Sequence, residues 1–540
     1  MFKPKIFTIW SDYSKEKFAA DFMAGIIVSI LAISLSVAFA VSMGVSPEIG
    51  LYVSVISSFV IAILGGTYVS IGGPSAVFIV TVAGIMATHG IEGVMISTFI
   101  AGIILVLLGL FRLGALIKYL PYPVTVGFMA GTAVVIFTTQ VRGFLGLHEL
   151  SQVPSNFILR WGTYFSNLGN SSLPTIAIGA LGLLILILWP KVTKKIPGGL
   201  IVLIVTTALV EIFQMPVQTI GSQFTELALA APRIQLPMLS VETVIYFLPN
   251  GLTIAFLCIV MSLLTAVASD TLIGKKHEPN TELIAQGLSN ILIGLWGWIP
   301  AASVSTRTVA NIENGGRTPV SALVHSVVML VFIVFALPLL RLVPMVTLAS
   351  MLMMAAYSMS GWRSFVKLCH GPKTDLLVLM VTFILTVMVD LGFAVGIGMV
   401  LAVVLHIHDI RKKMKVKEVP HLEEEFPGEV RIFKVSGPLF FGDSTRFLDS
   451  IRLEEGLKVA IVALSGVKNM DATAIETLTI LFDKCKTHHV RLVITEIPVG
   501  TFRFMKKMKM SNVFGSENMY PRYNDAIEAV AKDLRSYHES

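Results

Sequence analysis

The feature that most constrains this chain is its long uncharged apolar runs. Phe22 to Met43 is one, and its body from Met23 to Met43 carries no charge; Leu376 to Val389 is another. A membrane span needs about 20 mostly apolar residues, and much of the stretch from Phe22 to His408 divides into such pieces. Only 14% of the 540 residues are charged and 54% are hydrophobic, against roughly a quarter charged in soluble domains. A soluble fold this apolar would expose patches it could not cover. The last hundred-odd residues carry charge at ordinary density, so composition alone separates two domains. The boundaries read as a cytosolic segment 1–20, a transmembrane domain 21–410, a linker 411–427 and a soluble domain 428–540.

Basic residues set the topology. Arg112 with Lys118, then Lys191, Lys194 and Lys195, then Lys275 and Lys276, then Arg317, then Arg363, Lys367 and Lys373 mark successive loops, and a cluster from Arg411 to Lys417 follows. The stretches between them are poor in positive charge: Gly44 to Gly50 has none, Gly143 to Ser172 only Arg160, and Gln214 to Phe247 only Arg233. The alternation fits the positive-inside rule with both termini cytoplasmic and an even number of spans. The best partition gives about fourteen, including short pieces near 75–89 and 303–312. The start of the chain lacks a cleavable leader pattern, so the first span is expected to stay. The three cysteines, Cys258, Cys369 and Cys485, are far apart and indicate neither disulfides nor a metal cluster. The net charge of +7 fits basic loops and gives no reason to invoke nucleic acid.

The two short pieces carry the functional signal. Each follows a small-residue, proline-containing approach: Ile71-Gly72-Gly73-Pro74-Ser75-Ala76 and Trp298-Ile299-Pro300-Ala301-Ala302-Ser303. Each is the third span of a seven-span half, the halves covering about 21–213 and 248–410. Interrupted segments at matching places point to inverted repeats with a site at the membrane midplane. A half-helix that begins inside the membrane leaves its first N–H groups unpaired, and its dipole adds roughly half a positive charge there. Two such ends facing each other form an anion site that needs no metal or cofactor. Ser75 and Ala76 mark one start; Ser303, Val304 and Ser305 mark the other. Small residues also allow close helix packing, the competing reading at each position.

Several segments together resemble the sulfate permease (SulP) family. They are Ser36-Val37-Ala38-Phe39-Ala40 with Gly50-Leu51-Tyr52, Gly72-Gly73-Pro74-Ser75, Pro121-Tyr122-Pro123-Val124, Glu282-Leu283-Ile284-Ala285-Gln286-Gly287, and Arg307-Thr308 through Asn314-Gly315-Gly316-Arg317-Thr318-Pro319. The resemblance implies a polytopic α-helical membrane protein of seven-plus-seven inverted repeats with a core and a gate domain. It also implies elevator-like alternating access, a cytosolic STAS domain and a homodimer in the cell membrane. It implies as substrate a small inorganic or carboxylate anion, sulfate being the family's commonest. Strand-like runs at Val430–Val435, Val459–Leu464 and Val490–Ile494, with a helical pattern over Ala472–Lys486 between them, give a small α/β domain. Asn469-Met470-Asp471-Ala472-Thr473 is similar to the regulatory loop of anti-sigma-factor antagonists. Ala472 stands where the family's phosphorylated hydroxyl residue would be, leaving Thr473 beside it and Asp471 as a helix N-cap. A cytosolic protein partner at this domain is the associated expectation.

The resemblance places Phe39 beside the anion, where packing alone is the other reading. Arg307 falls in the first turn after Ser305, near membrane depth, where a charge costs on the order of 2.5–3.5 kcal/mol. It reads as an anion-site residue, with a structural ion pair or snorkelling beside Arg317 as alternatives. Three positions depart from the family. Met261 stands where many relatives have a carboxylate linked to proton or sodium coupling, while Thr265 one turn on is kept. Ser34 replaces a common proline, and Leu35 a glutamine found in some relatives. The nearest acid, Asp270, is expected to pair with Lys275 or Lys276. Without the carboxylate, transport is expected to be exchange-like or uncoupled. The competing functions are a nucleobase permease of the same fold, which would use carboxylates in the eighth and tenth spans, and an anion channel. No cluster of catalytic or metal-spaced residues lies on the spans, so an enzyme is not expected.

Overall fold

The computed structural model describes residues 2–9, 13–114, 121–147, 153–154, 156–193, 197–224, 240–389, 391–411, 415–420, 426–437, 444–454, 456–467, 472–499, 502–503, 505 and 511–539. Two compact units are present, Met1–Val400 and Leu401–Ser540. The first is helical. Its first half holds α1 (Lys15–Ser42), α2 (Pro47–Leu64), α3 (Ile79–Leu110), α4 (Tyr122–Leu145), α5 (Phe157–Ser166), α6 (Leu173–Val192) and α7 (Gly198–Ile212). After the short α8 (Ile220–Gln223) come α9 (Val241–Ile273), α10 (Pro279–Leu295), α11 (Ser305–Glu313), α12 (Val320–Ala336), α13 (Met345–Met359), α14 (Trp362–Cys369), α15 (Lys373–Met388) and α16 (Leu391–Arg411). Among the described residues, seven helices are long and apolar enough to cross a membrane.

Local chemistry sets the ends of these helices. Ser14 caps α1 by accepting from the Lys17 amide, and Pro47 sits in the first turn of α2, where a missing N–H costs nothing. Gly90 breaks α3 at φ +63°, so the piece expected over 75–89 is a separate short segment. Split there, α3 supplies two segments. The described α1–α4, α6 and α7 then give seven, as do α9–α13, α15 and α16. In each half the order is helix, helix, two-residue strand, short helix: β1 (Gly72–Gly73) precedes the first short helix and β2 (Ala302–Ser303) precedes α11.

The helices sort into two groups. In one, α3 packs on α9 and α10, and α1 and α2 pack on each other and on α12. In the other, α4 packs on α13 and α15, and α6 on α7 and α13. Close approach in the first group depends on glycine: a Cβ on Gly102 would lie 2.7 Å from the Gly287 carbonyl oxygen and 2.6 Å from the Ile291 amide nitrogen. The groups meet where α1 runs against α7 and α13.

Asp21 of α1, buried, holds the start of α12. Its Oδ1 accepts from the Arg317 and Thr318 amides at 2.8 and 3.1 Å, and its Oδ2 from the Thr318 hydroxyl at 2.5 Å. These bonds reach 296 and 297 residues along the chain to the two residues before the Pro319 N-cap, and so fix the turn that leads into α12. The preceding turn has Gly315 at φ +98°, as its Asn-Gly-Gly composition leads one to expect.

The second unit is a five-stranded sheet in the order β3 (Lys415–Glu418), β4 (Val430–Ser436), β5 (Val459–Gly466), β6 (Arg491–Thr495) and β7 (Met519–Tyr520). The β3–β4 pair is antiparallel and the others are parallel. Part of the stretch expected as linker is therefore the sheet's edge strand. Helices α17 (Ser444–Ser450), α18 (Ala472–Thr487), α19 (Ser511–Phe514) and α20 (Tyr523–Glu539) complete the unit. Both faces are covered, which explains the nearly unbroken apolar strands. Phe433, Val462 and Ile494 pack with Phe447, Leu478 and Leu481 on one face; Ile432, Ile461 and Val493 pack with Ala526, Val530 and Leu534 on the other. Asp471 and the side chain of Thr473 lie outside the described residues.

Candidate functional site

The two interrupted segments meet. β1 and β2 pair antiparallel, with Gly72 opposite Ser303 and Gly73 opposite Ala302. The Val304 amide extends the ladder by donating to the Ile71 carbonyl at 2.9 Å. Immediately after this crossing both short helices begin. Ser75 precedes the turn Ala76–Phe78, and Val304 precedes α11; neither start is capped by a side chain. The N–H groups of the first turn therefore have no partner within their own helix.

A cavity of about 510 Å³ lies against both starts. Phe39, Ser75, Ala76, Met261, Val304 and Ser305 line it, together with Thr306, Ser34 and Leu35. The opposite wall comes from the other helix group: Thr125 and Met129 of α4, Gly199 of α7, and Met351 and Ala355 of α13. Among the described residues its lining has no charged side chain. The three positions that depart from the family, Ser34, Leu35 and Met261, all lie on its wall.

Three residues singled out from sequence stand behind this wall rather than on it. Ser303 is fully buried, and its amide already donates to Ser262 Oγ at 3.2 Å. Val304 lines the cavity with its amide committed to the ladder, so the donors available at the second start belong to Ser305 and Thr306. Thr265 Oγ1 holds Ser305 Oγ at 2.6 Å and donates to the Ser303 carbonyl at 3.3 Å, fixing the second start from α9. Arg307 is fully buried on the far side of the strand crossing. Its Nη2 donates to Ser36 Oγ at 3.0 Å, and its Nη1 to Ser54 Oγ at 3.0 Å and the Gly72 carbonyl at 3.4 Å. Among the described residues no carboxylate pairs with it and its Nε has no partner. The guanidinium thus adds a positive charge behind both helix starts while touching only hydroxyls and a carbonyl.

A buried carboxylate that sequence reasoning passed over completes the frame. Glu282 Oε2 accepts from the Gly66 amide at 3.0 Å and Thr67 Oγ1 at 3.2 Å, while its Oε1 accepts from Gln286 Nε2 at 3.0 Å and Ser303 Oγ at 3.1 Å. Four donors saturate it, so it acts as a latch between the segment after α2 and β2. Asn290, one turn further, brackets Ala301 by bonding both its amide and its carbonyl at 2.9 Å. Glu282, Gln286 and Asn290 recur every fourth residue on α10, a polar stripe within an apolar span that was visible in the sequence. Asp270 pairs with His277, 2.7 Å from Nδ1, in place of the expected Lys275 or Lys276; Lys275 lies over the Tyr68 ring. His325 is buried, with Nδ1 3.0 Å from Ser29 Oγ.

Gly73 tests the crossing. Its φ is +154°, and an added Cβ would run into Arg307 Nη1. Gly73→Ala is expected to cost on the order of 1–3 kcal/mol and to halt transport, read as a lower melting temperature in detergent and lost uptake. An unchanged melting temperature with normal uptake would show that the crossing tolerates a side chain.

Residues 18–382 match the sulfate permease family, and residues 421–526 match the STAS domain. The chain belongs to the sulfate permease family. Like the family, it is a multi-pass membrane anion transporter carrying a C-terminal STAS domain, and its relatives are transporters rather than enzymes. YvdB of Bacillus subtilis (strain 168), named for sulfate transport, is 34% identical over 95% of this chain and 98% of its own. The bicarbonate transporter BicA of Picosynechococcus is 28% identical over 91% and 90%. The murine Solute Carrier 26 family member A9 structure superposes with a TM-score of 0.85 at 18% identity, covering 98% of this chain and 94% of that one; at this identity the likeness is one of fold. In this permease the soluble unit around β4–β7 is thus the STAS domain.

Proposed function

We propose that this permease moves small inorganic or carboxylate anions, sulfate foremost, by elevator-like alternating access. The observation that carries the reading is the cavity itself: two uncapped helix starts open onto it, and its described lining holds no charged side chain. An anion there receives N–H donors from Ala76, Ser305 and Thr306, the Ser75 hydroxyl, and Phe39 as an apolar neighbour; the Ser305 hydroxyl is spent on Thr265 Oγ1. It meets no fixed negative charge. Arg307 acts at a distance, through potential rather than contact. The elevator motion is supported by the two helix groups that meet along α1, one carrying the anion and the other, α4–α7 with α13–α16, framing it.

Coupling follows from the same wall. With Met261 in place of an acid and Glu282 saturated by four donors, the described lining of the cavity offers no carboxylate to take up a proton or sodium ion as the anion enters. Transport is therefore exchange-like or uncoupled. A homodimer with both termini cytoplasmic, and a cytosolic protein partner at the STAS domain, complete the proposal. Neither a metal nor a cofactor is needed for these steps.

The test is uptake of labelled sulfate, bicarbonate, chloride and a dicarboxylate into proteoliposomes, with and without imposed proton and sodium gradients. Saturable uptake of at least one anion, accelerated by the same anion inside and indifferent to the gradients, is expected. Uptake driven steeply by either gradient would overturn the uncoupled reading. Flux at single-channel rates would make the protein a channel, and nucleobase uptake without anion uptake would make it a nucleobase permease.

A further inference from the structure

A second cavity of about 370 Å³ lies at the opposite ends of the helices that line the first. On α1 the first cavity is lined by Leu31 to Phe39, the second by Val41 and Ser42. On α4 the first takes Tyr122 to Met129, the second Thr139 to Gly143. On α13 the order reverses, because that helix runs the other way: Met351 to Met359 line the first, Met345 to Ala349 the second. Phe39 and Val41 are two residues apart, as are Ala349 and Met351, whereas Met129 and Thr139 on α4 are ten apart, so the two linings come nearest along the chain at the α1–α13 contact. Ala40 and Ser350, both fully buried, occupy it.

The second cavity differs in chemistry. Its polar lining includes Thr139, the amides of Gln140, Gln218 and Gln223, and the guanidinium of Arg142, the one charged group on its wall among the described residues. Arg142 Nε donates to the Leu147 carbonyl at 3.3 Å, which turns the group back over the C-terminal end of α4. The side chain is half-buried. A cation in a concave, partly desolvated setting concentrates anions from solution. The amide side chains beside it can each donate to an anion oxygen.

We infer that this cavity is the closed-side vestibule of the transport path, and that Arg142 captures the small anion there before the helix groups exchange access. The inference rests on the transport reading above and adds a second, transient anion site to it. On the charge alternation of the loops, the vestibule faces outward and the first cavity inward. The ligand is a small oxyanion or halide, held by one charge and several neutral donors. That suits capture and release better than tight retention.

The experiment uses the full-length protein expressed in cells and labelled sulfate as the probe, or whichever anion wild-type protein carries in the screen above. Uptake is measured against external anion concentration for wild type, Arg142→Gln and Arg142→Lys. Efflux from preloaded cells measures the other face. Arg142→Gln is expected to raise the KM for external anion about tenfold and to leave Vmax and the efflux KM within about twofold. It should also flatten the fall of low-concentration uptake with ionic strength, and Arg142→Lys should retain most of the wild-type KM. Thr139→Cys should react with a membrane-impermeant thiol reagent from outside, more slowly when the anion is present. An active Arg142→Gln protein with wild-type KM and salt dependence would overturn the vestibule role. Absence of saturable anion uptake in wild type would instead overturn the transport reading.

Discussion

Arg307→Met is expected to lower anion transport roughly tenfold to a hundredfold while leaving a folded protein. A unit charge acting over roughly 5–15 Å through an effective dielectric of about 20 contributes about 1–3 kcal/mol, and the substitution removes that from an anion at the two helix starts. Methionine fills most of the space of the arginine stem, so no large cavity follows. Its hydrogen-bond partners do not become orphans. Ser36 Oγ already donates to the Ala32 carbonyl at 2.6 Å and lies 2.7 Å from Ser54 Oγ, and the Gly72 carbonyl keeps the Ser58 hydroxyl at 2.9 Å. Melting temperature and elution volume in detergent are therefore expected near wild type, with loss confined to affinity and uptake. Arg307→Lys should recover part of the activity, because it restores the charge without the fork that spans Ser36 and Ser54. Wild-type uptake by a folded Arg307→Met protein would remove Arg307 from the anion's energetics.

Met261→Glu is expected to make transport depend on pH, where the proposed uncoupled mechanism gives the native protein no such dependence. Met261 lines the cavity that both helix starts share, so an acid there faces the anion. Ionised, it opposes a bound anion by about 2 kcal/mol at roughly 8 Å and an effective dielectric of about 20, some thirtyfold in affinity. Protonated, it costs little. Anion binding is then full below the acid's pKa and lost as pH rises through it, and an inward proton gradient should accelerate uptake. Met261→Gln, similar in shape but unable to ionise, should show no such gradient dependence. Gradient-driven uptake by the glutamine variant, or by the wild type, would break the link between this position and coupling.

What the sequence made legible, and what it hid, divides along physical lines. The two half-helix starts were readable because Gly72-Gly73-Pro74-Ser75 and Pro300-Ala301-Ala302-Ser303 interrupt apolar runs with a helix-breaking proline among small residues. Helical depth was readable too, placing Arg307 in the first turn that begins at Ser305. The facing of Arg307 was not, because it depends on Ser36 and Ser54, partners 271 and 253 residues away. Two backbone amides expected to bind the anion, at Ser303 and Val304, are consumed by Ser262 and by the strand crossing, contacts that only the fold creates. The strand at Lys415–Glu418 escaped notice because an edge strand of exposed lysines carries no apolar alternation. Glu282, Gln286 and Asn290 were within reach: polar residues every fourth position in an apolar span are expensive unless they hold something, and here they hold β2.

The most direct test of the site is to locate the anion. Crystals of the protein grown with selenate, a heavy analogue of sulfate, would reveal it by anomalous scattering. A peak is expected in the cavity between the first turns that begin at Ala76 and Ser305, within hydrogen-bond reach of their amides and on the Met261 side of the strand crossing. A peak in direct contact with Arg307 behind the crossing, or none in the cavity of a protein that transports selenate, would contradict it.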